Sequence, residues 1–149
     1  MYKLNLPEYQ FKIIKTNDKL KIFDLVRKKY VMLTPEEWVR QNFIMYIIKE
    51  KKVPESHIKI ESSLQINSLI KRTDAVVYNK NMELSALIEF KAPDVKIDMK
   101  VFEQINIYNS GLKTQFLIVT NGITHYFAQI NYEKEKIFFV NDFPLYEAL

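Results

Sequence analysis

The sequence predicts a mixed α/β fold in which helices cover a central sheet. Two segments of the 149-residue chain repeat apolar residues at helical spacing, and the segments between them alternate or run apolar as strands do. Turn residues such as Asn121-Gly122 separate the strand segments. The predicted order is a hairpin arm, a helix, three strands, a second helix and further strands, which makes a mixed sheet with helices on it.

A β-hairpin arm is predicted first. Residues 10–16 and 20–25 are rich in β-branched and aromatic side chains, and they flank the turn Asn17-Asp18-Lys19. The basic cluster Arg27-Lys28-Lys29 follows the second of these strands.

The first helix has a strong start signal. Thr34 can act as the N-cap, Pro35 suits the first helical position, and Glu37 completes a T-x-x-E capping box. The helix is predicted to end near Glu50, ahead of Pro54. Its apolar face carries Trp38, Phe43, Ile44, Ile47 and Ile48.

The remaining segments predict a sheet that is interrupted by one helix. That helix spans residues 97–110 and has Gly111 as its C-cap. The predicted strands are residues 57–66, 71–78, 84–91, 116–120, 123–130 and 136–140.

Composition excludes several classes of function. The chain has no cysteine, which removes disulfides, thiolate metal sites and a cysteine nucleophile. Its two glycines cannot form a three-glycine dinucleotide fingerprint, and its two histidines cannot form a three-histidine zinc site. Carboxylate, lysine and amide chemistry remains.

Length and charge indicate the kind of protein to expect. The length suits a single domain over residues 1–149, which we divide into an arm, residues 1–33, and a core, residues 34–149. The sequence has neither an apolar stretch long enough for a membrane span nor the apolar centre of a secretory signal, so we expect a cytoplasmic protein without a membrane partner. A net charge of +4 gives slight support to a polyanionic partner, although many soluble domains carry such a charge.

One of the charged patterns in the chain lies in an apolar context and the others do not. Acid-x-Lys occurs four times, but only Glu89-Phe90-Lys91 lies in an apolar strand, where alternation puts Glu89 and Lys91 on one face and Phe90 on the other. If the preceding strand pairs with this one, Asp74 lies beside Glu89. Two adjacent carboxylates favour a cation between them, and hard oxygen ligands favour Mg²⁺, with Mn²⁺ as a substitute.

Together, Asp74, Glu89 and Lys91 suggest a hydrolytic reaction. Lys91 would position or help activate a water molecule and offset phosphate charge, which predicts metal-assisted phosphodiester hydrolysis. A buried salt-bridge set without chemistry is the alternative for Asp74, Glu89 and Lys91.

The same residues resemble a known nuclease signature. Asp74-x14-Glu89-x-Lys91 is similar to the signature of the PD-(D/E)XK nuclease superfamily, and Gln104-x3-Tyr108 resembles the Q-x-x-x-Y element of its RecB-like members. Over nearly the whole chain, the sequence resembles the N-terminal domain of type I restriction enzyme R (restriction) subunits. The segments that carry this wider resemblance are residues 22–24, 27–31, 33–41, 72–78, 88–93 and 120–122.

The resemblance implies a restriction-endonuclease-like core, with a central mixed sheet flanked by helices. It implies a Mg²⁺-dependent DNA endonuclease in which Asp74 and Glu89 bind the metal and Lys91 is the catalytic lysine. The backbone carbonyl of Phe90 would be a further metal ligand, and this phenylalanine stands where many relatives have cysteine.

Further candidate residues also follow from the resemblance. Gln104 and Tyr108 would line the site or orient DNA and Lys91, although solvation of the helix and core packing explain them equally. Glu37 or Glu36 would lie near the metal. For Glu37 the role of a capping-box residue is favoured over that of a ligand, and the two roles are compatible. Candidates for contacts with the DNA backbone, each of which is equally a solvated surface charge, are Arg27, Lys28, Lys29, Lys71, Arg72, Lys96 and Lys100.

Type I R subunits continue into a helicase-like motor, for which this chain has no sequence. Two arrangements therefore stay open, a stand-alone relative or a separate piece of a larger machine. The expected partners are DNA and either other restriction-modification subunits or a separate motor protein. The alternative function is a catalytically silent DNA-binding or assembly module that keeps the nuclease fold.

Overall fold

The computed structural model describes the backbone of residues 1–149 and every side chain other than that of Ile66. Its two α-helices are α1 (Pro35–Lys49) and α2 (Met99–Asn109). The strands of a small arm sheet are β1 (Ile13–Thr16), β2 (Lys19–Asp24) and β3 (Lys29–Met32). The strands of the core sheet are β4 (Ile58–Ile66), β5 (Leu69–Tyr78), β6 (Leu84–Phe90), β7 (Phe116–Thr120), β8 (His125–Asn131) and β9 (Lys136–Val140).

The core sheet is mixed, as the sequence predicts. Its strands lie in the order β4-β5-β6-β7-β8-β9. Strands β6 and β7 are parallel and every other neighbouring pair is antiparallel. Because two parallel neighbours need a crossover connection, α2 lies between β6 and β7 in the chain.

The two helices cover opposite faces of this sheet. Phe43 of α1 packs in one apolar cluster with Ile88 and Phe90 of β6. Phe102 of α2 packs in a second cluster with Leu87, which precedes Ile88 and therefore points to the opposite face of β6. A strand that is buried on both faces has a nearly continuous apolar sequence, which is why β6 looks like a core strand.

The arm contains one more strand than predicted. The hairpin of β1 and β2 is confirmed, with Asn17 and Asp18 at positive φ in the turn. A third strand, β3, which the sequence pattern does not predict, pairs with β2. Ile22 and Asp24 of β2 are fully buried, so one face of the arm sheet packs against the rest of the protein.

Two local predictions are corrected. Thr34 caps α1 as expected, because its Oγ1 accepts a hydrogen bond of 3.1 Å from the N–H of Glu37. The reciprocal half of the capping box, a hydrogen bond from the Thr34 N–H to the Glu37 side chain, is absent from the described side chains, since the Glu37 carboxylate bonds to other residues.

Gly111 is not the C-cap of α2. The helix continues into a short 3₁₀ turn, and the left-handed residue that ends this turn is Lys113.

In the part of the chain that the structure describes, no helix is both long and apolar enough to cross a membrane.

Candidate active site

Asp74 and Glu89 lie opposite each other on neighbouring strands. The antiparallel register pairs Ala75 with Ile88, so the next residue on each strand is Asp74 and Glu89. The backbone N–H of Phe90 donates a hydrogen bond of 2.8 Å to Asp74 Oδ2, which holds this carboxylate at the end of β6. The structure thus brings the two acids together in the way that the sequence predicts.

Lys91 joins them from the residue that follows β6. Its Nζ donates to Glu89 Oε1 at 3.0 Å. Burial raises the pKa of Glu89, repulsion from Asp74 adds to the rise, and Lys91 opposes it. Burial alone would lower the pKa of Lys91, but the hydrogen bond to Glu89 and the surrounding negative charges outweigh burial and raise it. Lys91 is therefore a cation at neutral pH.

Helix α1 brings a third carboxylate to this group, that of Glu36. Burial raises the pKa of Glu36, and the charge of Asp74 raises it further, whereas Arg40 and Lys91 lower it. Glu36 is therefore near enough to Asp74 and Lys91 for their charges to affect its pKa, and Glu36 and Asp74 both lie within 4 Å of the Arg40 guanidinium.

Glu37, the other acid of α1 that the resemblance implies near the metal, lies elsewhere. Its Oε1 accepts hydrogen bonds of 2.6 Å from Arg27 and 2.7 Å from Gln41, and its Oε2 accepts one of 2.5 Å from Arg40. Because both oxygens are engaged and the residue is 6% exposed, Glu37 is unsuited to a metal. The physical reason is that two buried guanidinium groups bind its oxygens. Arg40 is its i, i+3 neighbour on α1, whereas Arg27 comes from the arm and cannot be identified from local spacing.

Arg40 connects the helix to the acidic group. This residue is buried, and its Nη2 lies 3.1 Å from Glu36 Oε1 and 3.8 Å from Asp74 Oδ1. Its Nη1 lies 3.4 Å from Glu61 Oε1 of β4, and its guanidinium sits 5.6 Å from the centroid of the Phe90 ring. Arg40 therefore provides a fixed positive charge behind the carboxylates.

Sequence reasoning left Arg40 and Glu61 outside the site. The only signal for Arg40 is its i, i+4 spacing from Glu36. Glu61 of β4 has a positive φ of 50°. Its neighbours Ile60 and Ser62 pair with Ala75 and Thr73 of β5, so Glu61 lies opposite Asp74. No local pattern indicates this position, because it depends on the β4–β5 register.

An open cleft of about 690 Å³ exposes Asp74 and Glu89. The other residues that line it are Glu61, Ser62, Ser63, Arg72, Thr73 and Tyr108. Tyr108 is 55% exposed, the Nζ of Lys71 lies 4.9 Å from its ring centroid, and the same Nζ contacts the Tyr108 carbonyl. The cleft therefore combines carboxylates with an aromatic ring and basic groups.

Gln104 is not brought to this cleft. The side chain is exposed on α2, one turn before Tyr108, and among the described residues it does not line the cleft. Tyr108 alone of the Q-x-x-x-Y pair is therefore placed beside the acids.

The basic candidates differ in their surroundings. Arg27 is only 12% exposed, and its guanidinium makes ion pairs with Asp24, Glu37 and Glu61 at 2.5–2.7 Å. This engagement does not favour a phosphate contact. Lys28 pairs with Glu55 at 2.7 Å on the surface. The remaining exposed candidates are Lys29, Arg72, Lys96 and Lys100, and Lys71 is half-buried beside Tyr108.

The donor set suits a hard divalent cation. Within the described residues, no three His, Asp or Glu side chains form a preassembled metal cage. Mg²⁺ does not require one, because it retains several waters and is usually held by one or two carboxylates and substrate phosphates. Two facing carboxylates, with the Phe90 carbonyl next in the chain, are chemically sufficient for such an ion.

The chain matches a known family over most of its length. The model of the family described as type I restriction enzyme R protein N terminus matches residues 35–144. The chain belongs to this family. The matched range contains Asp74, Glu89 and Lys91, so the candidate site lies inside the type I R N-terminal region. Comparison with the curated proteins finds no match.

A solved structure shares the fold of this R-protein N-terminal region. It is the fragment structure of a protein described as an HsdR subunit of a type I restriction enzyme from Vibrio vulnificus YJ016, with a TM-score of 0.54 and 18% sequence identity. The similarity covers 77% of this chain and 24% of that chain. At this identity the likeness concerns the fold, and it agrees with the mixed sheet and flanking helices expected from the sequence.

Proposed function

We propose that this chain is a Mg²⁺-dependent endonuclease domain that hydrolyses phosphodiester bonds in DNA. The observation that carries the proposal is the pairing of Asp74 with Glu89 at adjoining strand positions, with Lys91 bonded to Glu89, in an open cleft. Membership of the type I R N-terminal family supports the same conclusion.

Each residue of the group has a distinct part. Asp74 and Glu89 would hold the cation, together with the Phe90 carbonyl, and the Phe90 N–H keeps Asp74 oriented. A bound Mg²⁺ would polarise the phosphate and lower the pKa of an attacking water. Lys91 keeps its proton on Nζ, donates to Glu89, and offers its remaining N–H groups to the water or to a phosphate oxygen. Glu36 of α1 contacts Arg40, which also lies 3.8 Å from Asp74.

Other residues bind and orient the DNA. Arg72 and the Lys71–Tyr108 pair lie at the cleft, where cationic groups can contact phosphates and the ring can contact sugar or base. We infer no base-specific readout, and we expect sequence choice and triggering to depend on other restriction-modification subunits or a motor protein.

The test is nicking of supercoiled plasmid with Mg²⁺ or Mn²⁺ and with EDTA. We expect metal-dependent nicking by the unmodified chain and a loss of at least about 100-fold in Asp74→Asn and Lys91→Met, since each removes a group that acts on the reacting phosphate. Matched controls are Asp18→Asn, whose carboxylate is 95% exposed in the arm turn, and Lys80→Met, on the exposed β5–β6 turn. Nicking that survives both site substitutions would contradict the proposal.

A second readout separates an inactive domain from an active one that waits for a partner. A metal that binds only the folded state must raise the unfolding temperature. We expect Mn²⁺ to raise it in the unmodified chain and not in a double variant, Asp74→Asn with Glu89→Gln. If neither nicking nor this shift occurs, the alternative of a silent DNA-binding or assembly module replaces the proposal.

A further inference from the structure

The arm sheet has one face that packs inward and one that does not. Ile22 and Asp24 of β2 are fully buried, so the residues that alternate with them, Lys19, Lys21 and Phe23, lie on the opposite face.

Cross-strand register extends this outer face over all three strands. Lys21 is paired with Ile14 and Met32, and Phe23 is paired with Tyr30. Lys12 lies next to Phe23. Its backbone carbonyl accepts a hydrogen bond from the N–H of Phe23, and the Nζ of Lys12 lies 6.0 Å from the Phe23 ring centroid. We call the set Lys12, Ile14, Lys19, Lys21, Tyr30 and Met32 the outer arm face.

The excess of basic over acidic residues is concentrated in the arm. Residues 12–29 contain seven basic and two acidic side chains, a net charge of +5, while the whole chain has +4. Neither acid neutralises the outer arm face, because Asp24 is buried and Asp18 pairs with Lys15 in the turn.

The lysines of the outer arm face are also not neutralised from elsewhere. Among the described side chains, Lys12, Lys19 and Lys21 make no ion pair, whereas the arm residues Arg27 and Lys28 do. The outer arm face is therefore a cationic surface without carboxylates, which favours a polyanion.

Apolar and aromatic groups lie between these lysines. Ile14, Tyr30 and Met32 are 39%, 40% and 43% exposed, and Tyr30 packs edge-on against Phe23 with ring centroids 5.2 Å apart. A DNA duplex offers phosphates but keeps its base faces stacked, whereas an unpaired strand offers both phosphates and base faces. Aromatic side chains between basic ones on a sheet are how many proteins bind such strands.

We propose that the outer arm face binds an unpaired nucleic-acid strand, with its phosphates at Lys12, Lys19 and Lys21 and a base on Tyr30. The site is separate from the cleft that contains Asp74 and Glu89, and it does not depend on the catalytic proposal. It would hold a single strand without regard to sequence, since phosphates and base faces are common to all nucleotides.

The test measures fluorescence anisotropy of a labelled single strand and of the same sequence as a duplex, with the full chain in EDTA. The triple variant Lys12→Gln, Lys19→Gln, Lys21→Gln is compared with Lys80→Gln, Lys134→Gln, Lys136→Gln, which removes the same charge from exposed positions outside the arm. We expect the arm variant to bind the single strand about tenfold more weakly or worse, and its plot of log K against log salt to be shallower by about 2. The control triple should stay within about twofold of the unmodified chain.

Tyr30→Leu tests the base contact separately. Loss of one stacked base predicts about a fivefold or larger loss for the single strand and little change for the duplex. Equal losses in the two triple variants would overturn the proposal, as would a Tyr30→Leu variant that binds the single strand unchanged, or an unmodified chain that does not bind it. Thermal unfolding of each variant verifies that the arm sheet stays folded.

Discussion

Among the side chains of the candidate site, the guanidinium of Arg40 contacts the largest number of acids. It lies within 4 Å of carboxylates from α1, β4 and β5 while only 4% of the residue is exposed. Carboxylates gathered for a cation repel one another when no cation is bound. Arg40 offsets this repulsion from within the protein, so the acids can stay ionised and ordered.

Arg40→Met is expected to destabilise the protein by about 3–5 kcal/mol, because it leaves buried carboxylates without their partner. Urea unfolding of the metal-free chain measures the loss. The exposed Arg72→Met is the control and should stay within about 0.5 kcal/mol of the unmodified chain. A loss no larger than that of the control would show that solvent, and not Arg40, compensates these charges.

At the scale of the element, the turn between β7 and β8 depends on a glycine. Gly122 has φ +81, and a Cβ there would lie 2.8 Å from Leu4 Cδ2 and 3.1 Å from Val39 Cγ2. Asn121 Oδ1 accepts hydrogen bonds from the N–H groups of Ile123 and Thr124, which closes the turn. Backbone conformation and close packing therefore both require the missing side chain.

Gly122→Ala is expected to cost more than about 1 kcal/mol, measured by thermal unfolding, since alanine resists positive φ and meets two apolar side chains. Gly111→Ala is the matched control. Its Cβ would meet only the flexible end of Lys71 at 3.7 Å and its φ is not positive, so it should be neutral or stabilising. Similar losses in both variants would contradict this explanation.

At the scale of the whole molecule, the N-terminal segment returns to the core sheet. The N–H of Asn5 donates to the Gly122 carbonyl at 2.7 Å, and His125 Nε2 lies 3.1 Å from the Asn5 carbonyl. Burial lowers the pKa of His125, although the contact with Asn5 and the charge of Asp142 oppose the shift.

This shift predicts that the folded protein is less stable in acid. The unfolded chain protonates a histidine near pH 6.5, whereas burial in the folded state disfavours that proton on His125. The contribution of His125 to the free energy of unfolding is therefore complete above about pH 6.5 and declines as the pH falls below it. Urea unfolding at pH 7 and pH 5 measures the change. His125→Gln can still donate to Asn5 but does not titrate, so an identical pH response in that variant would refute the explanation.

The parts predicted correctly are those with local causes. The N-cap of α1 depends on Thr34 and the three residues after it, and the burial of β6 follows from its own apolar run. The pairing of Asp74 with Glu89 was predictable because a short connection joins β5 to β6. Strand β3 was missed because its four residues, Lys29–Met32, have no turn signal of their own and are held by pairing with β2.

The sequence by itself determined the family, the mixed sheet and the Asp74–Glu89–Lys91 group, because spacing along the chain carries that information. Only the tertiary structure decided which acid of α1 faces this group, and it placed Glu36 there while Arg27 and Arg40 hold Glu37. Tertiary structure likewise decided which basic residues of the arm lie on its outer face. Arg40 is within four residues of both acids of α1, but the choice between them also depends on Arg27 and Asp74, which are more distant in the chain, and on burial and charge compensation between elements.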